Sequence, residues 1–86
     1  MPEISRFFGI VIAVFYDDHN PPHFHARYEG NKAVIDINEL KITEGSLPPR
    51  ALGFVIEWAL THKQELLKNW ELAGEHKALL PIEPLK

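Results

Sequence analysis

Residues 24–43 read FHARYEGNKAVIDINELKIT, and this stretch decides the fold because its apolar and polar residues alternate. A period of two is typical of β-strands that bury one face. A two-residue turn at Gly30-Asn31 fits the pattern. It aligns three apolar pairs on one face: Tyr28 with Ala33, Ala26 with Ile35, and Phe24 with Ile37. The other face then holds two pairs, Arg27 with Val34 and His25 with Asp36.

A second turn at Asn38-Glu39 extends the same two faces. On the apolar face it pairs Ile37 with Leu40 and Ile35 with Ile42. On the polar face it pairs Asp36 with Lys41, as a cross-strand ion pair, and Val34 with Thr43. A slip of one residue would exchange the faces, so the two turns support each other and predict an antiparallel meander.

Strand patterns also precede this stretch. The β-branched and aromatic run of residues 10–16 is apolar on both faces, which is typical of a central strand. Residues 4–7 predict an edge strand that turns back through Phe8-Gly9. The first 45 residues therefore predict four to five short strands.

The second half of the chain predicts one long helix over residues 46–74. Ser46 can cap its amino end, Pro48 and Pro49 fit a first turn, and Gly74 is a plausible stop. A helical stripe follows at Leu52, Val55, Ile56, Ala59, Leu60, Leu66, Leu67 and Trp70. Lys63 interrupts this stripe, which indicates either a kink near Thr61-His62 or a lysine stem lying along the surface.

The predicted fold is α+β: an antiparallel meander with a long C-terminal helix packed on its apolar face. With 86 residues we expect a single domain, comprising a sheet over 1–45, the helix over 46–74 and a proline-punctuated extended tail over 75–86. The chain has no cysteine, which excludes disulfides and thiolate metal ligands. The net charge of −3 does not indicate nucleic-acid binding, and the sequence predicts neither a membrane span nor a signal peptide, so we expect a cytoplasmic protein.

The histidine-rich stretch HNPPHFH, residues 19–25, is the main candidate for chemistry. His23 and His25 lie two apart on a strand and therefore point to one face, where two imidazoles can chelate a transition metal. His19 can be brought back by the Pro21-Pro22 turn, as can Asp17 or Asp18. Asp36, opposite His25, can serve as a ligand or as a carboxylate that orients an imidazole. The candidate ligands are therefore His19, His23, His25 and Asp36, with His23, His25 and Asp36 as the candidate catalytic residues.

Two other interpretations of this face remain open. One is a cationic patch of His23, His25, Arg27 and Lys41 that binds an anion such as phosphate. The other is an ordinary solvated strand face with no function, in which case no cofactor is bound. Asp17-Asp18 is typical of a loop that leads into a turn.

A second apolar pair on the helix indicates a contact beyond the sheet. Phe54 and Trp58 lie four residues apart but off the main stripe, so one sheet cannot bury both sets. Either the C-terminal tail or another chain must cover them. Phe54 and Trp58 are therefore the candidate interface residues, for a small protein partner or a second copy of the chain.

Four segments resemble a known family. They are residues 2–7 with residues 9–10, residues 16–26 with the core Pro-Pro-His-Phe-His, residues 45–51, and residues 65–70. Together they resemble the small bacterial family catalogued as domain of unknown function 4160 (DUF4160). That family has no established activity, so the resemblance implies no catalytic residue. It implies a short cytoplasmic protein encoded beside another small protein, an arrangement that resembles a toxin–antitoxin pair.

Three functions are therefore expected, and whether the protein is an enzyme stays open. The first is one member of a toxin–antitoxin-like pair that acts through protein–protein interaction. The second is a hydrolase or ribonuclease that uses a metal at His19, His23, His25 and Asp36. The third is binding of an anion or nucleic acid by the polar sheet face.

Overall fold

The computed structural model describes residues 2–86 and contains one five-stranded antiparallel sheet followed by two helices. The strands are ordered β1-β2-β3-β4-β5 across the sheet, so each pairs with its neighbour in sequence. Their bounds are β1 Glu3–Phe7, β2 Ile10–Ala13, β3 His23–Tyr28, β4 Asn31–Asp36 and β5 Ile42–Gly45. The helices are α1 Pro49–Thr61 and α2 Lys63–Gly74. The predicted α+β class with an antiparallel meander is confirmed.

The first hairpin turns at the two predicted residues. Phe8 and Gly9 have φ values of 50° and 79°, and Phe7 faces Ile10 across the turn. Positive φ at both central positions gives a turn whose twist matches that of the flanking strands. The strand predicted for residues 10–16 is shorter than expected, because β2 ends at Ala13.

The hairpin of β3 and β4 differs from the predicted register by two residues. The turn lies at Glu29-Gly30, where Glu29 has φ 53°, instead of Gly30-Asn31. Phe24 therefore faces Ile35, and Asp36 faces His23 instead of His25. A shift of two residues keeps every side chain on its predicted face. The alternation of apolar residues is satisfied equally by both registers, so the pattern predicts the faces correctly and the pairs wrongly.

The hairpin of β4 and β5 contains an irregularity that the sequence did not predict. Ile35 faces Ile42 as predicted, but the register shifts at Val34, which faces Glu44 instead of Thr43. The predicted ion pair between Asp36 and Lys41 is wrong. Asp36 accepts the backbone N–H of Glu39 at 2.8 Å, and Lys41 pairs with the Glu39 carboxylate at 2.9 Å. The Asp36 side chain therefore stabilises the turn.

The prediction of one long helix capped by Ser46 is wrong. The chain forms two helices separated at His62, and the N-cap of α1 is Pro48. The Ser46 N–H instead donates to the Lys32 carbonyl at 3.0 Å, which extends the β4–β5 pairing. The break at His62 lets the two helices bury different faces. These faces are Ala51, Val55, Trp58 and Ala59 in α1, and Leu66, Asn69 and Ala73 in α2.

Leu60 was predicted to lie in the buried stripe, but it is 66% exposed. The buried face of α1 is rotated towards Trp58, which is fully buried and packs against Phe7 and Phe24 with ring centroids 5.3 and 6.1 Å away. The buried face of α1 therefore includes Trp58, which the sequence analysis placed outside the predicted apolar stripe.

The C-terminal tail covers this part of the core. The Trp58 indole N–H donates to the Glu83 carbonyl at 2.8 Å, and the Ile82 N–H donates to the Ile4 carbonyl at 2.8 Å. The buried Asn69 side chain donates to the Leu80 carbonyl at 2.8 Å and accepts the Leu80 N–H at 2.7 Å. The helices and the tail thus occupy the apolar side, which leaves His25 and Arg27 on the opposite face of the sheet.

Candidate metal centre

The chain between β2 and β3 folds back so that Asp18 reaches the start of β3. Asp17 has φ 60°, a left-handed conformation that Asp tolerates better than most residues. The Asp18 Oδ1 atom accepts the backbone N–H of His19 at 3.0 Å, which fixes the carboxylate within its own turn. Asp17 itself points elsewhere and pairs with His76 at 2.8 Å.

Three side chains converge at this point: Asp18, His23 and His25. Their ligand atoms all lie within 4.8 Å of one another. The Asp18 Oδ2 atom is 2.7 Å from His23 Nε2 and 3.3 Å from His25 Nε2. The His23 side chain is 8% exposed, Asp18 19% and His25 30%, so the cluster is sheltered but open on the His25 side.

The contacts of His23 decide what the cluster can hold. His23 Nδ1 lies 2.8 Å from the Pro21 carbonyl oxygen, which can only accept, so Nδ1 carries a proton and donates it. In a neutral ring Nε2 then presents a lone pair, and it faces an Asp18 oxygen that is also an acceptor when ionised. Only a proton or a cation can join these two atoms. A metal-ligating histidine usually donates its other ring N–H to a carboxylate, a backbone carbonyl or water, and His23 Nδ1 makes a bond of this kind to Pro21.

The electrostatics of Asp18 keep the carboxylate in its charged form. Partial burial raises the pKa of Asp18, but the interactions with His25 and with His23, and the hydrogen bond from the His19 backbone, outweigh that effect. The pKa therefore lies below its usual value, and the carboxylate is ionised at neutral pH. An ionised carboxylate is the form that binds a metal.

Aromatic rings flank the cluster on two sides. Phe15 meets His25 edge-on with centroids 4.3 Å apart, and the Trp70 ring of α2 lies 4.9 Å from that of His23. One cleft of about 160 Å³ opens between Asp18 and Glu44, and a second of about 160 Å³ opens between Asp18 and Trp70. Clefts that enclose a whole organic ligand measure roughly 300–1,000 Å³. These clefts therefore suit one small group of a larger molecule.

The structure brings together two of the four predicted ligands, His23 and His25, and adds Asp18. Asp36 lines the same cleft, but its side chain binds the β4–β5 turn. His19 is exposed, with its ring 5.9 Å from that of His23, and lies outside the three-residue group. The sequence offered Asp17 and Asp18 equally, and only the backbone of the loop decides between them.

Three of the four predicted anion-binding residues lie on β3, and the fourth, Lys41, lies between β4 and β5. Arg27 lies on the same face as His23 and His25, but Lys41 lies beyond β4 and pairs with Glu39. The cation opposite Arg27 is Lys32. The two residues predicted as an interface differ in exposure. Trp58 is fully buried beneath the tail, whereas Phe54 is half-buried against the exposed Phe8, with ring centroids 5.0 Å apart.

Fold and cluster together define a small α+β domain with two imidazoles and one carboxylate at the start of the central strand of an antiparallel sheet. The chain belongs to the family described as Domain of unknown function (DUF4160), whose model matches residues 9–71. The matched segment contains Asp18, His23 and His25 as well as the flanking Phe15 and Trp70. Comparison with curated proteins and with solved structures gave no match. Among residues 2–86, no helix combines the length and apolarity that a membrane crossing requires.

Proposed function

We propose that this DUF4160 domain binds one divalent transition metal ion through Asp18 Oδ2, His23 Nε2 and His25 Nε2, and uses it to activate water for hydrolysis. The observation that carries the proposal is the position of His23 between two acceptors. Its Nδ1 donates to the Pro21 carbonyl, and its Nε2 lies 2.7 Å from the Asp18 carboxylate. A metal ion between these two groups binds the lone pair of His23 Nε2 and a lone pair of Asp18 Oδ2 at the same time.

The spacing of the ligand atoms supports a zinc-sized ion. Zinc binds nitrogen and oxygen at about 2.0–2.2 Å, and a tetrahedral arrangement then separates ligand atoms by roughly 3.3 Å. The separations here are 2.7 and 3.3 Å, and all lie within 4.8 Å. Small rotations of the side chains therefore suffice to admit the ion.

The number of ligands supports a catalytic site over a structural one. Structural zinc sites use four protein ligands, whereas catalytic sites use three and leave a position for water. Two imidazoles and one carboxylate, in a chain without cysteine, match the catalytic type. A bound water at such an ion ionises near neutral pH and becomes a nucleophile. The same three ligands also suit iron(II), and metal analysis distinguishes the two ions.

Metal binding is tested on protein expressed without a histidine tag. Elemental analysis and calorimetric titration of the chelator-treated protein with Zn²⁺ should give one site per chain. His25→Ala should weaken binding by more than about a hundredfold, because loss of a residue that only supports a ligand already costs about 10–100-fold. His76→Asn is the matched control, since it removes an imidazole that also pairs with an aspartate but lies outside the cluster.

His19→Ala separates the observed ligand set from the one predicted by sequence. We expect its zinc affinity to equal that of the wild type, because His19 lies outside the three-residue group. A wild-type Kd above about 100 µM for both zinc and iron(II) would refute the proposal. Equal affinity of wild type and His25→Ala would refute it as well.

A second candidate function is protein pairing of the toxin–antitoxin type, which the resemblance to the family suggests. The observation that favours it is the exposed Phe8, at 54%, which packs against Phe54 beside Arg50. Exposed aromatic pairs on small domains are often contact sites. Co-expression with the product of the adjacent gene, using the wild type and Phe8→Ser, tests it. A stable complex that Phe8→Ser weakens supports pairing, and a wild type that stays free at micromolar concentration contradicts it.

A further inference from the structure

Two cations face each other next to the metal centre. Arg27 of β3 lies directly opposite Lys32 of β4, on the same face as His25. Residues two apart on a strand are separated by about 6.6 Å, so Arg27 lies one such step from His25. One small cavity, of about 80 Å³, has His25, Arg27 and Lys32 in its lining. His25 therefore belongs to the cluster and also lines the cavity beside the two cations.

Arg27 and Lys32 are a directly opposed pair of like charges. Like charges placed directly opposite on neighbouring strands destabilise a sheet. The Glu3 carboxylate, on β1, partly offsets the charge of Arg27. Its hydrogen bond with Arg6 lowers the pKa of Glu3, and the charges of Arg6 and Arg27 lower it further. Lys32 lies on the side away from Glu3, so its charge is not offset in this way.

Lys32 differs from the other lysines of the chain. Within residues 2–86, each of the other five lysines has an oxygen partner from the protein, whereas Lys32 forms no ion pair. The partners are Glu39 for Lys41, the Asn38 carbonyl for Lys63, Glu71 for Lys68, Glu75 for Lys77 and Glu83 for Lys86. Glu44 lines a neighbouring cavity with Lys32 but does not pair with it.

We infer that Arg27 and Lys32 form a phosphate subsite, and that the substrate of the adjacent metal centre is a phosphate ester. Arg and Lys are the side chains that bind phosphate oxygens most strongly. A phosphate bound between them offsets the repulsion of these two like charges. This explains why the two cations lie opposite each other in a chain whose net charge is −3. The inference rests on the proposed function for the substrate role, while the subsite itself needs no metal.

The subsite is tested first in metal-free protein. Chelator-treated, ¹⁵N-labelled protein is titrated with pyrophosphate at low salt, and the backbone amides of β3 and β4 are followed by NMR. The amides of Arg27 and Lys32 should shift and saturate. Lys32→Gln should weaken the pyrophosphate Kd at least fivefold, and Lys68→Gln, an exposed lysine on α2, should change it less than twofold. Shifts confined to other residues, or equal affinity in Lys32→Gln and wild type, overturn the subsite whether or not the metal binds.

A second measurement tests the substrate class in zinc-loaded protein. Hydrolysis of bis(4-nitrophenyl) phosphate is compared with that of 4-nitrophenyl acetate, which carries no phosphate. Lys32→Gln should raise KM for the phosphodiester at least fivefold and leave kcat and acetate hydrolysis unchanged. If the wild type hydrolyses only the acetate, or if Lys32→Gln alters both reactions equally, the phosphate-ester assignment is wrong while the metal centre stands. If it hydrolyses neither, the hydrolytic function fails, and the NMR titration alone decides the subsite.

Discussion

Replacement of Asp18 by asparagine separates the metal-binding role of the carboxylate from its structural role. The new side chain has the same size, and its amide can donate to the His23 lone pair while Nδ1 still donates to Pro21. The metal-free Asp18→Asn variant should therefore fold, with a change in unfolding free energy of about 1 kcal/mol or less, since Asp18 is partly exposed and such pairs contribute little.

The effect of zinc on stability should differ sharply between the two proteins. At a free zinc concentration of about a hundred times the wild-type Kd, binding stabilises the wild type by about 2.7 kcal/mol. For a domain of this size that raises Tm by roughly 10–20 °C. If Asp18→Asn weakens binding about a hundredfold, the same zinc concentration stabilises the variant by only about 0.4 kcal/mol, or roughly 2–3 °C.

Thermal unfolding followed by circular dichroism, with zinc and with chelator, measures both quantities. Asp17→Asn is the matched control, because Asp17 pairs with His76 outside the cluster and should keep the full zinc response. The reasoning fails if the Asp18→Asn variant gains as much Tm from zinc as the wild type. It also fails if the wild type gains none at saturating zinc.

Three further predictions concern stability. Gly45→Ala should lower the free energy of unfolding by about 1–3 kcal/mol, because φ is 75° and a Cβ would collide with the Lys32 carbonyl oxygen. Gly53→Ala is the control: its Cβ would have no atom within 4 Å, so the change should be neutral or stabilising. Thermal unfolding measures both variants. Asn69→Ala should lower the free energy of unfolding by about 2–3 kcal/mol, because it leaves the Leu80 N–H and carbonyl without partners. Amide exchange in the C-terminal tail should then become faster, and unchanged exchange would contradict the role of Asn69. In metal-free protein the lowered pKa of Asp18 contributes stability that is complete above about pH 5 and is lost as the pH falls through the folded pKa. Urea titrations of the Asp18→Asn variant should therefore lack that acid-dependent part.

The faces of the sheet could be predicted from the sequence, but the strand pairs could not. Alternation places Phe24, Ile35 and Ile37 in the core, and all three are fully buried. The same alternation is satisfied by registers two residues apart, so it leaves the position of the turn open, and the turn lies at Glu29-Gly30. The bulge at Val34 leaves no trace in the apolar pattern.

The helical half shows a similar division. The periodic residues predict a helix correctly, and the interruption at Lys63 marks the place where it breaks. The break itself and the burial of Trp58 depend on tertiary contacts, since the tail supplies the Glu83 carbonyl from 25 residues away. Helical spacing alone therefore predicted Leu60 as buried, which is wrong, since Leu60 is 66% exposed. It placed Trp58 outside the main stripe, under the tail or another chain, and in the structure the tail covers it.

Half of the candidate site follows from local sequence. His23 and His25 share a face because strand residues alternate, and that part of the prediction needs no tertiary information. Asp18 joins them through a loop that contains two prolines and a residue with positive φ, Asp17. The path of such a loop is not encoded in a periodic pattern, so Asp36 took the place of Asp18 in the predicted ligand set.

The most direct test of the metal centre is a crystal structure of the zinc-loaded protein with anomalous data collected at the zinc edge. We expect one anomalous peak, with Asp18 Oδ2, His23 Nε2 and His25 Nε2 at about 2.0–2.2 Å and a water in the remaining position. A peak bound by His19 or Asp36 in place of Asp18, or no peak at saturating zinc, would contradict the account.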